Sequence, residues 1–172
     1  TGAQQVMDLC SKALVNEGDV VICEAPSFIG SLNTFRSYNA KLVGVPVEPD
    51  GMSITALEQA LKDNKNTKFI YTIPNFQNPS GVTMSLEKRK AVYELAKKYG
   101  ILILEDNPYG DLRYSGEFIP NIKSFDEDES VPNGVGLVER IDFQMQHVGR
   151  QAFRPDLGDP LTGIGDLHLV ID

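Results

Sequence analysis

The sequence is poor in the residues that stabilise small secreted or metal-binding domains. It holds two cysteines and two histidines in 172 residues. Cys10 and Cys23 lie in apolar segments without Cys-x-x-Cys spacing, which indicates buried reduced thiols rather than a disulfide or a metal site. His147 and His168 have no nearby ligand partners. We therefore expect no metal site.

The sequence also lacks a long apolar run and a secretory signal. No stretch approaches the roughly 20 apolar residues of a membrane-spanning helix, and no signal-peptide pattern opens the chain. The composition, with 41% hydrophobic and 23% charged residues, is ordinary for a soluble globular protein. We expect a cytoplasmic protein with no membrane partner.

Basic residues are scarce, and their distribution divides the chain. The net charge of −8 argues against nucleic acid as a partner. Residues 1–123 hold 14 acidic and 13 basic side chains, whereas residues 124–172 hold ten acidic and three basic ones. No lysine follows Lys123. We expect a folded domain over residues 1–123, followed by an acidic tail of unknown fold over residues 124–172.

Strands and helices alternate along the first 108 residues. Apolar runs predict strands at residues 20–23, 41–47, 69–72 and 101–104, with the second bent or ended at Pro46. Helical spacing of apolar residues predicts helices over residues 5–15, 28–35, 55–62 and 86–99. This alternation predicts an α/β fold, a mostly parallel sheet flanked by helices with right-handed crossovers.

Local signals refine several of these elements. Ser85 is predicted to cap the long helix and Gly100 to end it, with Val92, Leu95, Ala96 and Tyr99 on its inner face. Residues 55–58 form a capping-box pattern. Tyr114, Phe118 and Ile122 are expected to anchor an irregular segment. In the tail, residues 126–129 indicate a flexible acidic link, Leu137, Ile141, Met145 and Val148 fit one helical stripe, and residues 168–171 fit a strand.

Polar side chains are expected to meet at the carboxyl edge of the sheet, where ligands of open α/β sheets bind. Asp106 leaves the buried strand at residues 101–104. The other candidates are the backbone N–H groups of Gly2, Ala3 and Gln4, the ring of Phe28, the amide of Asn78 and the phenol of Tyr109. An anion cradle, a stacking surface, a carboxylate and two hydrogen-bonding groups suit a phosphorylated aromatic heterocycle with a basic nitrogen. Pyridoxal phosphate fits that description.

Each of these residues also has an ordinary structural interpretation. Asp106 could cap its strand before a proline-containing turn, Phe28 could be a core aromatic, and Asn78 could satisfy its own backbone in a turn. The sequence alone leaves these alternatives open.

Four motifs resemble a known family when their order and spacing are taken together. They are residues 2–5 (GAQQ), 24–28 (EAPSF), 74–81 (PNFQNPSG) and 105–109 (EDNPY). Residues 1–123 thereby resemble the large domain of fold-type I pyridoxal-phosphate enzymes, specifically class I/II aminotransferases. The Phe-Gln-Asn-Pro form is similar to the subgroup of 2-aminoadipate, aromatic and kynurenine aminotransferases. It also resembles the aminotransferase-like half of bacterial winged-helix transcription regulators.

The resemblance implies a role for each candidate. Gly2, Ala3 and Gln4 would bind the cofactor phosphate, and Phe28, a position that is usually Tyr in the family, would stack on the ring. Asn78 and Tyr109 would contact the ring oxygen. Asp106 would pair with the ring nitrogen. The family also implies amino acid and 2-oxo acid substrates and a homodimer.

The sequence departs from the family where the Schiff-base lysine belongs. The family places that lysine in a Ser-x-x-Lys segment well beyond residue 109, and no lysine follows Lys123. The substrate-binding arginine is not matched by residues 154–158. The resemblance therefore implies a truncated large domain that is catalytically inactive alone. The alternatives are a non-catalytic effector-binding or dimerisation domain of a transcription regulator, and an α/β domain without a ligand.

Overall fold

The computed structural model describes residues 2–126 and 138–141. Within these residues six strands form one sheet in the order β3-β2-β1-β4-β5-β6. The strands are β1 (Val20–Ala25), β2 (Lys41–Glu48), β3 (Gly51–Met52), β4 (Thr67–Thr72), β5 (Leu102–Asp106) and β6 (Val138–Ile141). Every pairing is parallel except the one between β2 and β3. The predicted mostly parallel α/β sheet is confirmed.

Helices cover both faces of this sheet. The described α-helices are α1 (Ala3–Leu14), α2 (Ile29–Ser37), α3 (Ile54–Asp63) and α4 (Leu86–Tyr99), and short 3₁₀ turns follow at Gly110–Leu112 and Ile122–Phe125. One apolar cluster joins α1 and α2 to Val21, Phe69 and Leu104 of the sheet. A second cluster joins α3 and α4 to Ile22 and Ile103 on the opposite face. Burial of both faces explains why β1, β4 and β5 are apolar runs rather than alternating patterns.

Strand alternation sends the two carboxylates of β5 to opposite faces. Leu104 belongs to the α1/α2 cluster and Ile103 to the α3/α4 cluster, and successive side chains point to opposite sides of a strand. Asp106 therefore lies on the α1/α2 side. The carboxylate of Glu105, on the other side, accepts hydrogen bonds from the amides of Ile122 and Lys123, both at 3.0 Å. Glu105 thus fixes the chain that returns beneath α4.

The predicted ends of α4 are confirmed. The Ser85 hydroxyl accepts a hydrogen bond from the Lys88 amide at 3.3 Å, and Gly100 ends the helix with a φ of 69°. Val92 and Ala96 are buried as predicted, and Leu95 and Tyr99 pack at the margin of the core.

One boundary prediction was wrong in one of its two alternatives, since β2 does not end at Pro46, and the capping box predicted for α3 was wrong. Strand β2 continues through Pro46 to Glu48, because Pro46 lies opposite Ala25, the last residue of β1, where its missing N–H costs little of the ladder. Helix α3 begins at Ile54 with Ser53 at its N-cap, so residues 55–58 do not form a capping box. The Ser53 hydroxyl hydrogen-bonds the Glu48 side chain instead of the helix amides.

The segment after β5 is not anchored by its aromatic residues as predicted. Tyr114 is 88% exposed and Phe118 is 72% exposed, whereas Ile122 is buried as expected. The carbonyls of Ile119 and Pro120 accept hydrogen bonds from the guanidinium of Arg89. Main-chain contacts and Ile122, rather than the two rings, therefore hold this segment.

Part of the predicted tail lies within the described residues. Asp126 accepts a hydrogen bond from Lys123 Nζ at 3.2 Å. Ile141 lies in β6, which pairs with β5, so its assignment to a helical stripe was wrong. Several other predictions lie outside the described residues. They concern Leu137, Met145 and Val148 of that stripe, residues 127–129 of the acidic link, His147, His168, and the strand predicted at residues 168–171. The division of the chain at residue 123 stays a prediction.

No helix in residues 2–126 is long and apolar enough to cross a bilayer. In the same part of the chain, no three side chains of His, Cys, Asp or Glu come together as a group that could hold a metal ion. Cys23 is buried and Cys10 is partly exposed.

Candidate cofactor site

A cavity of about 240 Å³ opens at the carboxyl edge of the sheet. Its lining residues are Gly2, Ala3, Gln4, Phe28, Ile73, Asp106, Pro108 and Tyr109. The cavity thus lies between the start of α1 and the ends of β4 and β5, where open α/β sheets bind their ligands. Six of the seven candidates from the sequence line this one space, and Asn78 joins them through Tyr109.

The start of α1 provides hydrogen-bond donors at one end of the cavity. Gly2 has a φ of 80° and a ψ of −178°, a conformation that side-chain-bearing residues rarely adopt. The first intrahelical bond runs from the Gln5 amide to the Gly2 carbonyl at 3.0 Å. The amides before Gln5 have no acceptor within the helix and lie at its positive end. This arrangement suits a phosphate group.

The side chain of Gln4 is committed to the protein rather than to the cavity. Its amide nitrogen donates to Thr34 Oγ1 and to the Gly30 carbonyl. A Cβ atom on Gly30 would lie 2.9 Å from Gln4 Oε1 and 2.6 Å from the ring of Phe28. The absence of a side chain at Gly30 therefore lets α1, α2 and the Phe28 ring approach closely. Gln4 can contribute its backbone N–H to the cavity.

Asn78 and Tyr109 meet at the other side of the cavity. The Asn78 Nδ2 atom donates to the Tyr109 hydroxyl at 2.9 Å. Gln77 orders the loop that carries Asn78: its side chain is buried, donates to Glu24 Oε2 and to the Pro26 carbonyl, and accepts from Ser80. The loop therefore presents Asn78 from a fixed framework.

Asp106 is a buried carboxylate at the cavity wall, 4% exposed. Its Oδ2 atom accepts a hydrogen bond of 2.7 Å from the hydroxyl of Tyr71, and that hydroxyl accepts one of 2.9 Å from Ser31. Burial and the neighbouring carboxylate raise the pKa of the Tyr71 phenol far above its usual range. The phenol therefore keeps its proton and acts as a donor to Asp106.

Glu24 is a second buried carboxylate, behind the loop of Asn78. It accepts hydrogen bonds from the Thr72 hydroxyl, the Ile73 amide and Gln77 Nε2 at 2.6, 3.2 and 3.0 Å. Burial raises its pKa from 4.5 to about 7, against the opposing effect of these donors. The folded protein therefore binds a proton here more tightly than the unfolded chain does.

This shift predicts how stability depends on pH. A raised folded-state pKa means that Glu24 costs stability as pH rises from about 4.5 to about 7, a difference of about 3 kcal/mol. In Glu24→Gln, the amide oxygen can accept from Ile73 and Gln77 while the amide nitrogen donates to Thr72. Urea unfolding at pH 4.5 and pH 8 should show the variant equal to the wild type at the lower pH and more stable at the higher one.

The matched control is Glu94→Gln, on the exposed side of α4. It should follow the wild type at both pH values. A Glu24→Gln variant that loses stability at pH 8 would contradict the assignment of a costly buried charge to this position.

Four residues of this neighbourhood had no role in the sequence analysis: Tyr71, Ser31, Glu24 and Gln77. The available signal for Tyr71 was a phenol in an otherwise apolar strand, since a buried phenol needs a hydrogen-bond partner. Glu24 directly follows a predicted buried strand, as Asp106 does. Ser31 and Gln77 carry no comparable sequence signal, because Tyr71, the partner of Ser31, is 40 residues away and Glu24, a partner of Gln77, is 53 residues away.

The groups around the cavity fit a phosphorylated pyridine. Helix amides at one end match a phosphate, the Asp106 carboxylate matches a protonated ring nitrogen, and the Asn78–Tyr109 pair matches a ring hydroxyl or its anion. Phe28 supplies an apolar face between them. The cofactor roles of these residues stay predictions, and their placement around one cavity agrees with them.

Comparisons with known proteins identify the family. A family model for aminotransferase class I and II matches residues 1–138. Aromatic-amino-acid aminotransferase 1 of Thermococcus litoralis is 44% identical over 135 residues, which cover 76% of this chain and 32% of that protein. An uncharacterized HTH-type transcriptional regulator of Bacillus subtilis, YisV, is 33% identical over 131 residues, which cover 76% of this chain and 27% of the regulator.

A solved structure gives the same result. Kynurenine aminotransferase of Pyrococcus horikoshii, crystallised in complex with PMP, KYN and KYA, superimposes with a TM-score of 0.76 at 38% identity. The match covers 83% of this chain and 34% of that one. This chain spans about a third of the length of the curated relatives it matches. The family model covers well over half of the chain, and the chain therefore belongs to the class I and II aminotransferase family.

Proposed function

We propose that this chain is the cofactor-binding part of a pyridoxal-phosphate-dependent aminotransferase. The whole protein would move an amino group from an amino acid to a 2-oxo acid. The observation that carries the proposal is the shared cavity: the opening amides of α1 and the carboxylate of Asp106 line the same space. Family membership supports this chemistry over other uses of such a cavity.

Each wall of the cavity has a task in this proposal. The amides of Gly2, Ala3 and Gln4 bind the phosphate, and Phe28 stacks on the ring. Asp106 holds a proton at the ring nitrogen. When bound, the cofactor supplies an electron sink for the substrate carbon that loses its proton.

Asn78 and Tyr109 complete this set by holding the oxygen of the ring. The hydrogen bond between them keeps both groups at one place in the cavity wall. Because both can donate a hydrogen bond, they favour the ionised form of that oxygen.

The names of the relatives suggest the substrate class. Aromatic amino acids and kynurenine are the substrates named for two of the proteins compared above. We propose an aromatic or similarly large amino acid for the whole protein, in line with the Phe-Gln-Asn-Pro motif. The homodimer and the cytoplasmic location stay predictions.

We further propose that these 172 residues hold the cofactor without a covalent link and do not transaminate alone. No lysine follows Lys123. Lys123 itself is engaged with Asp126 and lies beside Glu105, on the face of the sheet away from the cavity. A lysine in the family's position, which would form the link and carry protons to and from the substrate, is not in this sequence.

Pyridoxamine phosphate, abbreviated PMP, tests binding without covalent chemistry. We expect saturable binding of one PMP per chain by isothermal titration calorimetry, with inorganic phosphate as a competitor. The chain is also incubated with pyridoxal phosphate and reduced with borohydride, with and without PMP. We expect no lysine whose modification is prevented by PMP. Peptide mapping identifies each modified lysine.

Two outcomes would contradict the proposal in different ways. Absence of PMP binding favours an α/β domain without this ligand. A single, PMP-protected lysine after reduction shows covalent attachment and defeats the non-covalent prediction while keeping the cofactor.

The second candidate function is a ligand-binding or dimerisation domain of a transcription regulator. The similarity to the Bacillus subtilis regulator favours it, because that protein matches the same part of the chain. The coding sequence upstream separates the two functions. A basic winged-helix module there supports the regulator, and the amino-terminal arm of an aminotransferase supports the enzyme.

A further inference from the structure

A line of three buried polar groups runs behind the cavity. Ser31 Oγ donates to Tyr71 Oη at 2.9 Å, and Tyr71 Oη donates to Asp106 Oδ2 at 2.7 Å. The three residues are 1%, 0% and 4% exposed. They come from α2, β4 and β5, so the line runs along the α1/α2 face of the sheet, from the covering helix to the cavity wall. The proposed function gives a task to Asp106 and none to the other two.

The fold holds the Tyr71 ring in one position. In the parallel register Tyr71 lies opposite Leu104, so Asp106, two residues further along β5, is its diagonal neighbour on the same face. The ring also packs edge-on against Phe35, with 5.3 Å between ring centres. A fully buried ring with these neighbours has little freedom to turn its hydroxyl elsewhere.

The direction of the hydrogen bonds follows from the chemistry of the groups. An ionised carboxylate only accepts, so Tyr71 must donate to Asp106. The phenol oxygen is then free to accept from Ser31, and two bonds aligned in one direction polarise each other. A donor held against a buried carboxylate stabilises its charged form.

We propose that Tyr71, supported by Ser31, is a positioning residue that keeps Asp106 ionised and directed at the ring nitrogen of the bound cofactor. This inference rests on the proposed function. Without the Tyr71 donor, the carboxylate competes better for the proton that it shares with the ring nitrogen. The proton then moves from the nitrogen to Asp106, and the ring loses the positive charge that Asp106 is there to maintain.

The groups around Asp106 differ in how they affect its ionisation. Glu24 is the neighbouring carboxylate, and its negative charge disfavours ionisation of Asp106 as Asp106 disfavours that of Glu24. The amide donors of Gln77 and Ile73 satisfy Glu24 rather than Asp106. Tyr71, in contrast, donates a hydrogen bond directly to Asp106. Tyr71 is therefore a group through which the protein can stabilise the charge of Asp106.

The experiment follows the ring nitrogen itself. PMP labelled with ¹⁵N in the ring is bound to the full chain, and its ¹⁵N chemical shift reports whether the nitrogen carries a proton. We expect a protonated nitrogen in the wild type and a shift toward the unprotonated value in Tyr71→Phe. The affinity for PMP should fall roughly tenfold or more, as for the loss of a hydrogen bond to a charged group. Ser31→Ala should change both quantities in the same direction by a smaller amount.

Tyr93→Phe is the matched control, because it removes the hydroxyl of another buried tyrosine on the α3/α4 face. It should leave the shift and the affinity at their wild-type values. If Tyr71→Phe does not fold, Ser31→Ala tests the proposal instead. This variant keeps the Tyr71 ring and only weakens the Tyr71 hydroxyl as a donor. Circular dichroism distinguishes loss of fold from loss of the hydrogen bond.

The outcomes separate this inference from the proposed function. Wild-type binding with an unchanged ¹⁵N shift in folded Tyr71→Phe overturns the role of Tyr71 and leaves the cofactor site intact. An unchanged shift in Ser31→Ala overturns the supporting role of Ser31. Absence of PMP binding by the wild type overturns both proposals together.

Discussion

Asp106→Asn is expected to lower the affinity of the chain for PMP by roughly a hundredfold. A carboxylate that is 4% exposed at the cavity wall would pair with a cationic ring nitrogen, and removing one partner of a buried charge pair costs about 2–5 kcal/mol. Asparagine keeps the size of the side chain but not its charge. Isothermal titration calorimetry at pH 7.5 measures the change, with circular dichroism to confirm the fold.

Asp111→Asn is the control for this prediction. It removes the same charge from an exposed aspartate in the turn after β5, which does not line the cofactor cavity. Its affinity for PMP should stay within about twofold of the wild type, since exposed charges contribute little. Equal losses in both variants would show that net charge, and not the position of Asp106, governs binding.

Arg89→Met is expected to lower the free energy of unfolding by about 3 kcal/mol, because a buried acceptor left without its donor costs about 1–3 kcal/mol. The Arg89 side chain is fully buried. Its guanidinium donates to four main-chain carbonyls, those of Pro74, Met84, Ile119 and Pro120, and to Asn75 Oδ1. Burial lowers its pKa to about 10, so it is charged at neutral pH. Methionine fills part of the space and leaves these acceptors without their donor.

Lys90→Met is the control for the stability measurement. Lys90 is the next residue on α4 and is exposed, so its replacement should change the free energy of unfolding by less than about 0.5 kcal/mol. Urea unfolding of both variants and the wild type, followed by circular dichroism, gives the comparison. A small effect of Arg89→Met would mean that water replaces the guanidinium at the five acceptors.

The parts of the site that depend on local sequence could be predicted. A four-residue apolar run followed by two acids located β5 and its carboxyl end, and a serine and a glycine located the ends of α4. Because parallel strands share one carboxyl edge, the loops that carry Phe28, Asn78 and Asp106 had to come together. The arrangement of the cavity follows from this rule and from the order of the elements.

The parts that depend on contacts across the chain could not be predicted. Arg89 lies within the charged run Glu87-Lys88-Arg89-Lys90, where the pattern gives no sign that one cation points inward. Its partners include carbonyls 30 and 31 residues away. Tyr71 and Ser31 are 40 residues apart. No periodicity within an element reveals such pairs, because they are set by how helices dock on the sheet.

The opposite directions of Glu105 and Asp106 have a consequence for how this strand can vary in evolution. Inserting or deleting one residue between Leu102 and Leu104 would exchange the two acids, so that each would face the other's surroundings. The amides of Ile122 and Lys123 would lose their acceptor, and Glu105 would face Tyr71 with a longer side chain. Length changes in natural variants should therefore be absent from β5 and confined to the connections on either side of it.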